Sequence, residues 1–142
     1  MNQPLSSLKI LDFSTLLPGP FATMLQADMG ADIVRVEAPN RLDMVRLMPP
    51  FDGDISGWHG VLNRNKRSIA LDLKKPEAVE IIKQLVAANG GGYDIVLEQF
   101  RPGVMARLGL GYDDLKLVNP GLIYCAVTGY GQTGPYKDRA GH

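Results

Sequence analysis

The sequence predicts an α/β domain, a Rossmann-like fold with a mainly parallel sheet. Three observations carry this. Apolar runs of strand length recur along the chain, segments with helical spacing of apolar residues separate them, and proline and glycine punctuate the joints.

The first run, Leu8 to Phe13, reads as a buried strand. Pro18-Gly19-Pro20 follows, and proline tolerates the first turn of a helix, so a helix is expected to begin near Pro20. Phe21, Met24, Leu25 and Met29 then fall at helical spacing, and Gly30 is suited to the left-handed conformation that ends a helix. Ile33, Val34 and Val36 form a second strand closing at Glu37. The unit is β-α-β, which predicts parallel strands. Residues 38–62 are broken by Pro39, Pro49, Pro50, Gly53, Gly57 and Gly60, with a short helix expected around Leu42 to Leu47.

Ser68 to Leu73 is the next strand. Pro76 and Glu77 open the clearest helix, with Ala78, Ile81, Ile82, Leu85 and Val86 on one apolar face and a stop at Asn89 and Gly90-Gly91-Gly92. Tyr93 to Leu97 reads as a strand, and Arg101-Pro102-Gly103 as a turn. Short helices are expected to carry Val104, Met105 and Leu108, and then Tyr112 to Val118. Asn119-Pro120-Gly121 is a turn, Leu122 to Val127 a strand, and Gly129 to Gly141 a loop. Ligands of such sheets bind beyond the carboxyl ends of the strands. That nominates Thr15–Gly19, Glu37–Asn40, Lys74, Gln99–Gly103 and Thr128–His142.

A chain of 142 residues with 45% hydrophobic side chains suits one domain with a buried core. Fifteen basic and fifteen acidic residues cancel, which argues against a general nucleic-acid binder. The single cysteine, Cys125, permits no internal disulfide and is expected to be a buried small side chain in its strand. No apolar stretch reaches the ~18–20 residues of a membrane span, and Met1 to Phe13 lacks the pattern of a secretory signal. The expected setting is the cytoplasm, with no membrane partner.

Several motifs read two ways. Leu17-Pro18-Gly19-Pro20 lacks both GxGxxG and a Walker lysine-serine pair, so a nicotinamide cofactor or an NTP is poorly supported. It is either a plain strand-to-helix turn or a helix start that holds an anion. Asn63-Arg64-Asn65-Lys66-Arg67 and Lys74 read as solvated charge, and Arg101 and Arg107 as a pair suited to phosphate oxygens. His59 and His142 each read first as structural or exposed histidines. No Cys/His spacing suggests a metal site, and no GxSxG elbow is present.

Taken in order, four segments resemble the family III CoA transferases, which include the α-methylacyl-CoA racemases and the carnitine and bile-acid CoA transferases. They are LSSLKILDFSTLLPGPFATMLQADMGADIVRVEAP, NRNKRSIALDLKKPE, DIVLEQFRPGVMARLGLGYDDL and NPGLIYCAVTGYGQTGPYKDRAGH. The resemblance implies that residues 1–142 form a CoA-binding α/β N-terminal domain, short of the second domain and of the aspartate used later in catalysis. It implies CoA contacts at Leu71, Leu73 and Lys74, at Gln99, Phe100 and Arg101, and at Val104, Arg107 and Gly141. Many relatives carry an arginine where this chain has Ala38, so Arg41 or Arg46 is the expected substitute.

Arg139-Ala140-Gly141-His142 matches the racemase form of the family, which makes His142 the catalytic candidate. The reaction implied is inversion at C2 of a 2-methylacyl-CoA by removal and return of the α-proton through an enolate, work suited to an imidazole. The alternatives are a CoA transferase working through an aspartyl intermediate, and a non-catalytic truncated CoA-binding domain. The implied partner is an acyl-CoA thioester, with coenzyme A as carrier and no other cofactor. An interlocked homodimer is implied for the full-length protein.

Overall fold

A computed structural model describes residues 3–87 and 91–141. His142 and the expected helix stop at Asn89 and Gly90 lie outside the described residues. Strands β1 (Lys9–Asp12), β2 (Asp32–Glu37), β5 (Arg67–Ala70), β6 (Ile95–Glu98) and β7 (Ile123–Ala126) form one sheet in the order β5-β2-β1-β6-β7. Every pairing in it is parallel, with Ile10 opposite both Ile33 and Ile95. The chain fills the sheet to one side of β1 and then crosses to the other, so the carboxyl ends of β1 and β6 flank the switch point, where such folds bind ligands.

Helices α1 (Pro18–Asp28) and α3 (Pro76–Val86) supply the long crossovers. α4 (Val104–Arg107) and α5 (Tyr112–Leu115) are single turns between β6 and β7. Strand alternation divides the core in two. Leu11, Phe13, Val34, Val36 and Val96 face Ile82 and Val86 of α3 together with Met105, Leu110 and Leu115. Ile10 and Ile33 face the opposite way, onto Ala27 and Ala31. Among the described residues no helix is long and apolar enough to cross a membrane.

Five expectations change, the last of them at Lys66, which reads in the sequence as solvated charge and has its side chain 1% exposed. Of the apolar residues at helical spacing in α1, only Met24 is buried; Phe21, Leu25 and Met29 are exposed. The buried face is built instead from Gly19, Pro20, Thr23, Met24 and Ala27, with Gly19 pressed on Ser14 and Gln99 and Thr23 bonded to Asp12. Cys125 is exposed, since β7 is an edge strand whose outer face no described helix covers. The strand expected over 68–73 ends at Ala70, and Leu71 to Lys74 turn into α3. Residues 38–62 contain more structure than expected: a 3₁₀ turn at Met44–Leu47, a hairpin of β3 (Phe51–Asp52) and β4 (Ile55–Ser56), and helix α2 (Gly57–Leu62). This segment exposes the large apolar side chains Leu42, Met44, Leu47, Phe51, Ile55 and Trp58.

A polar bolt crosses the α1 side. Asp12, fully buried at the end of β1, accepts from Thr23 Oγ1 at 2.5 Å, from the Ser14 amide at 2.8 Å and from the Ser14 hydroxyl. Lys66, its side chain 1% exposed, sits 3.5 Å from the same carboxylate and donates to Thr23 Oγ1 at 2.7 Å and the Pro20 carbonyl at 2.9 Å. Burial pulls the Lys66 ammonium below its ordinary pKa, and Asp12 opposes that pull. Removing one partner of a buried pair leaves the other uncompensated. Lys66→Met is therefore expected to destabilise the fold by about 3 kcal/mol, read as a lower urea midpoint with an unchanged slope.

Candidate functional site

The switch point is formed by the β1–α1 loop and the segment after β6. They touch where the Gly19 amide donates to Gln99 Oε1 at 3.1 Å. A Cβ on Gly19 would lie 2.3 Å from Ser14 Cβ, so this approach demands glycine. The start of α1 does not work as an anion site. Pro18 and Pro20 have no N–H, the Gly19 amide is taken by Gln99, and the Phe21 amide bonds the Leu17 carbonyl at 2.9 Å. The reading of this turn as an anion-holding helix start is thereby corrected to the plain turn.

The loop is held in an unusual shape. Leu16 has φ of 61°, a left-handed conformation uncommon for leucine. Its amide donates to both carboxylate oxygens of Asp43 at 3.2 Å. Asp43 is buried, also accepts from the Val45 amide, and pairs with the guanidinium of buried Arg35. Sequence reasoning missed Asp43. Its only trace was an acid preceding a short apolar turn, the pattern of a helix cap.

Glu37, at the carboxyl end of β2, takes a bidentate pair from Arg46 at 2.7 and 3.0 Å and a bond from Ser68 at 2.8 Å. Burial alone would raise its pKa; the Arg46 and Ser68 hydrogen bonds and nearby Arg35 outweigh that and hold the carboxyl at about 2. Arg46 is therefore committed to Glu37, while Arg41 is exposed next to Ala38. His59, in α2, lies 3.1 Å from the Asn63 amide nitrogen, and burial, with Arg46 and Arg35 adding to it, lowers its pKa.

The remaining candidates divide between two cavities. Leu73, Lys74 and Arg107 line one of about 420 Å³ beside the start of α3, together with Val79, Lys83 and Leu108. Leu71, Leu73 and Phe100 are half-buried and pack on the core beneath. Arg101 is exposed and Val104 half-buried, and neither lines this cavity. The second cavity, about 450 Å³, is lined by Glu98, Gly103, Met105, Tyr112, Tyr124 and Gln132. Burial raises the Glu98 carboxyl, opposed by the Phe100 amide that donates to it at 2.6 Å. Burial also raises the Tyr124 phenol, and Glu98 and Asp114 add to it. Glu98 escaped notice because it ends an otherwise apolar strand.

Gly141 packs against Gly129 just past β7: a Cβ on either would come within 2.6 Å of the other's Cα. Within the loop they close, Tyr136 meets Tyr130 edge-on and Arg139 across its ring face.

The comparisons with known proteins agree with this architecture. Residues 5–142 match the profile of CoA-transferase family III, and the chain belongs to that family. It is 46% identical over 141 residues to human succinyl-CoA:glutarate CoA-transferase, covering 99% of this chain and 31% of that protein. It is 43% identical to the succinyl-CoA–D-citramalate CoA-transferase of Chloroflexus aurantiacus, covering 98% of this chain and 34% of that protein. Among solved structures, a CaiB/BaiF family protein from Brucella suis superposes with a TM-score of 0.89 at 39% identity, covering all of this chain and 38% of that one. The chain thus spans about a third of the length of the curated relatives it matches.

Two predictions follow from the geometry. Gly19→Ala is expected to cost about 1–3 kcal/mol of stability by forcing Ser14 and Gln99 aside, measured by chemical denaturation. The charged Glu37 carboxylate stabilises the fold above its ordinary pKa of 4.5, and that contribution disappears as pH falls towards 2. An acid titration of the wild type should therefore lose stability across this window, and Glu37→Gln should flatten the loss.

Proposed function

We propose that the chain is the CoA-holding part of a CoA transferase that moves CoA between carboxylic acids. The observation that carries this reading is the identity of 42 to 46%, across 98–99% of the chain, with proteins named as succinyl-CoA or succinate CoA-transferases. Their names favour transfer over the racemisation suggested by the Gly141-His142 ending, and point to dicarboxylic acids as donor and acceptor. Racemisation at C2 remains the second reading, on the strength of that ending.

In the transferase reading Lys74 and Arg107 neutralise CoA phosphates, and Leu71, Leu73, Phe100 and Val104 offer apolar surface to adenine and the pantetheine arm. Gln99, Arg101 and Gly141 stand nearer the switch point, towards the thioester. The cavity lined by Leu73, Lys74 and Arg107 supports this assignment because it joins three of the expected contacts in one recess. The family's aspartate nucleophile would come from beyond the matched segment. It displaces the CoA thiolate from the donor thioester; the thiolate then takes the aspartyl carbonyl and releases the donor acid; the acceptor carboxylate reverses the two steps. No water is consumed, so a dry site matters. The exposed apolar surface of residues 42–58 supports a homodimer in which that face is covered.

The test uses a protein that carries this segment at the length of its relatives. Incubation with succinyl-CoA followed by hydroxylamine should yield an aspartyl hydroxamate, and 2-methylacyl-CoA in deuterated water should gain no deuterium at C2. Deuterium at C2 without a trapped hydroxamate would reverse the choice in favour of racemisation.

A further inference from the structure

The cavity beside α3 holds one more cation than the family resemblance assigns. Lys83 lines it with Lys74 and Arg107, against apolar walls from Leu73, Val79 and Leu108. Residues 76, 79, 80 and 83 share one face of α3, and Lys83 is half-buried on that face. Among the described residues none of the three cations is held in an ion pair. Glu80 is the one acid lining the recess, and its carboxylate accepts from Gln84 on the next turn at 3.4 Å. Three free cations against one carboxylate leave an excess that suits a dianion, and a phosphate monoester carries nearly two charges near neutral pH, whereas each phosphate of a diphosphate diester carries one.

Position selects which phosphate. α3 runs back from the carboxyl edge of the sheet, so Lys83 lies two helical turns, about 10 Å, from Pro76 and from the edge where the thioester reacts. The group that reaches it is the end of the ligand remote from the sulfur. We propose that Lys83 is a further binding residue, contacting the ribose 3′-phosphate of CoA alongside Arg107 and giving this chain a preference for CoA over 3′-dephospho-CoA. The proposal rests on the reading of Lys74 and Arg107 as CoA contacts. Nothing in the sequence motifs singled out Lys83; its signal was a cation at the margin of an amphipathic face.

Calorimetry with CoA and with 3′-dephospho-CoA tests it, on a protein that carries this segment at the length of its relatives, for the wild type, Lys83→Gln and Lys83→Arg, with folding checked by circular dichroism. Lys83→Gln should weaken CoA binding about fivefold, the value of a partly exposed ion pair, and leave 3′-dephospho-CoA unchanged. Lys83→Arg should restore the preference. Equal loss with both ligands, or no loss with CoA, overturns the role of Lys83 while leaving the CoA reading intact. A folded wild type that binds neither ligand overturns both.

Discussion

Everything around the switch point hangs on one carboxylate. Asp12 ends the central strand with no access to solvent, and its oxygens gather donors from the β1–α1 loop, from Thr23 of α1 and from Lys66 of the segment leading into β5. A charge so buried is tolerable only with its partners in place. The demand therefore runs outwards. α1 must lie close enough for Thr23 to reach, and Met24 is the one large apolar side chain on its buried face. The segment before β5 must return across α1 to deliver Lys66. Such a pair adds little net stability over an apolar substitute, but it admits few alternative arrangements.

The same constraint divides the molecule into a sealed side and an open side. On the α1 side several polar groups are held internally: Gln99 takes the Gly19 amide, Asp43 takes Leu16, and Glu37 takes Arg46. Across the sheet, between α3 and α4, cations face a recess without partners among the described residues. Charge available to a polyanionic ligand thus lies beside α3, away from the proline-rich turn that a search for phosphate loops would inspect first. The neighbouring cavity is lined by the carboxyls of Glu98 and Asp113 and, among the described residues, by no cation, so the two recesses differ in lining as well as in place.

Much of this was legible in the sequence, and the failures have physical causes. The parallel α/β class, the five sheet strands and the two long helices followed from apolar runs and their punctuation, because buried parallel strands must be apolar on both faces. The hairpin at Phe51–Ser56 escaped because two-residue strands leave no periodicity to read. The inner face of α1 departs from the expected stripe because Gly19, Pro20, Thr23 and Ala27 take most of its buried positions and only Met24 of the four large apolar residues joins them. Cys125 was judged by its neighbours in a strand whose edge position no local pattern reveals. In the site, Leu73, Lys74 and Arg107 do meet in one recess, whereas Asp43 and Glu98 owe their importance to partners far along the chain. His142 lies outside the described residues, so its reading as a catalytic candidate rests on the sequence around it alone.

The contact between Gly129 and Gly141 has a consequence for how this family can vary. Two backbones that touch without side chains close the loop into a ring at its mouth, while the residues between them are exposed. Sequence drift at the tip of such a loop, even insertion of whole residues, leaves the ends where they were, because lengthening a closed loop costs little. Drift at the mouth is another matter, since any side chain there would prise the ring open. Diversity among relatives should therefore collect between the two glycines and stop at them.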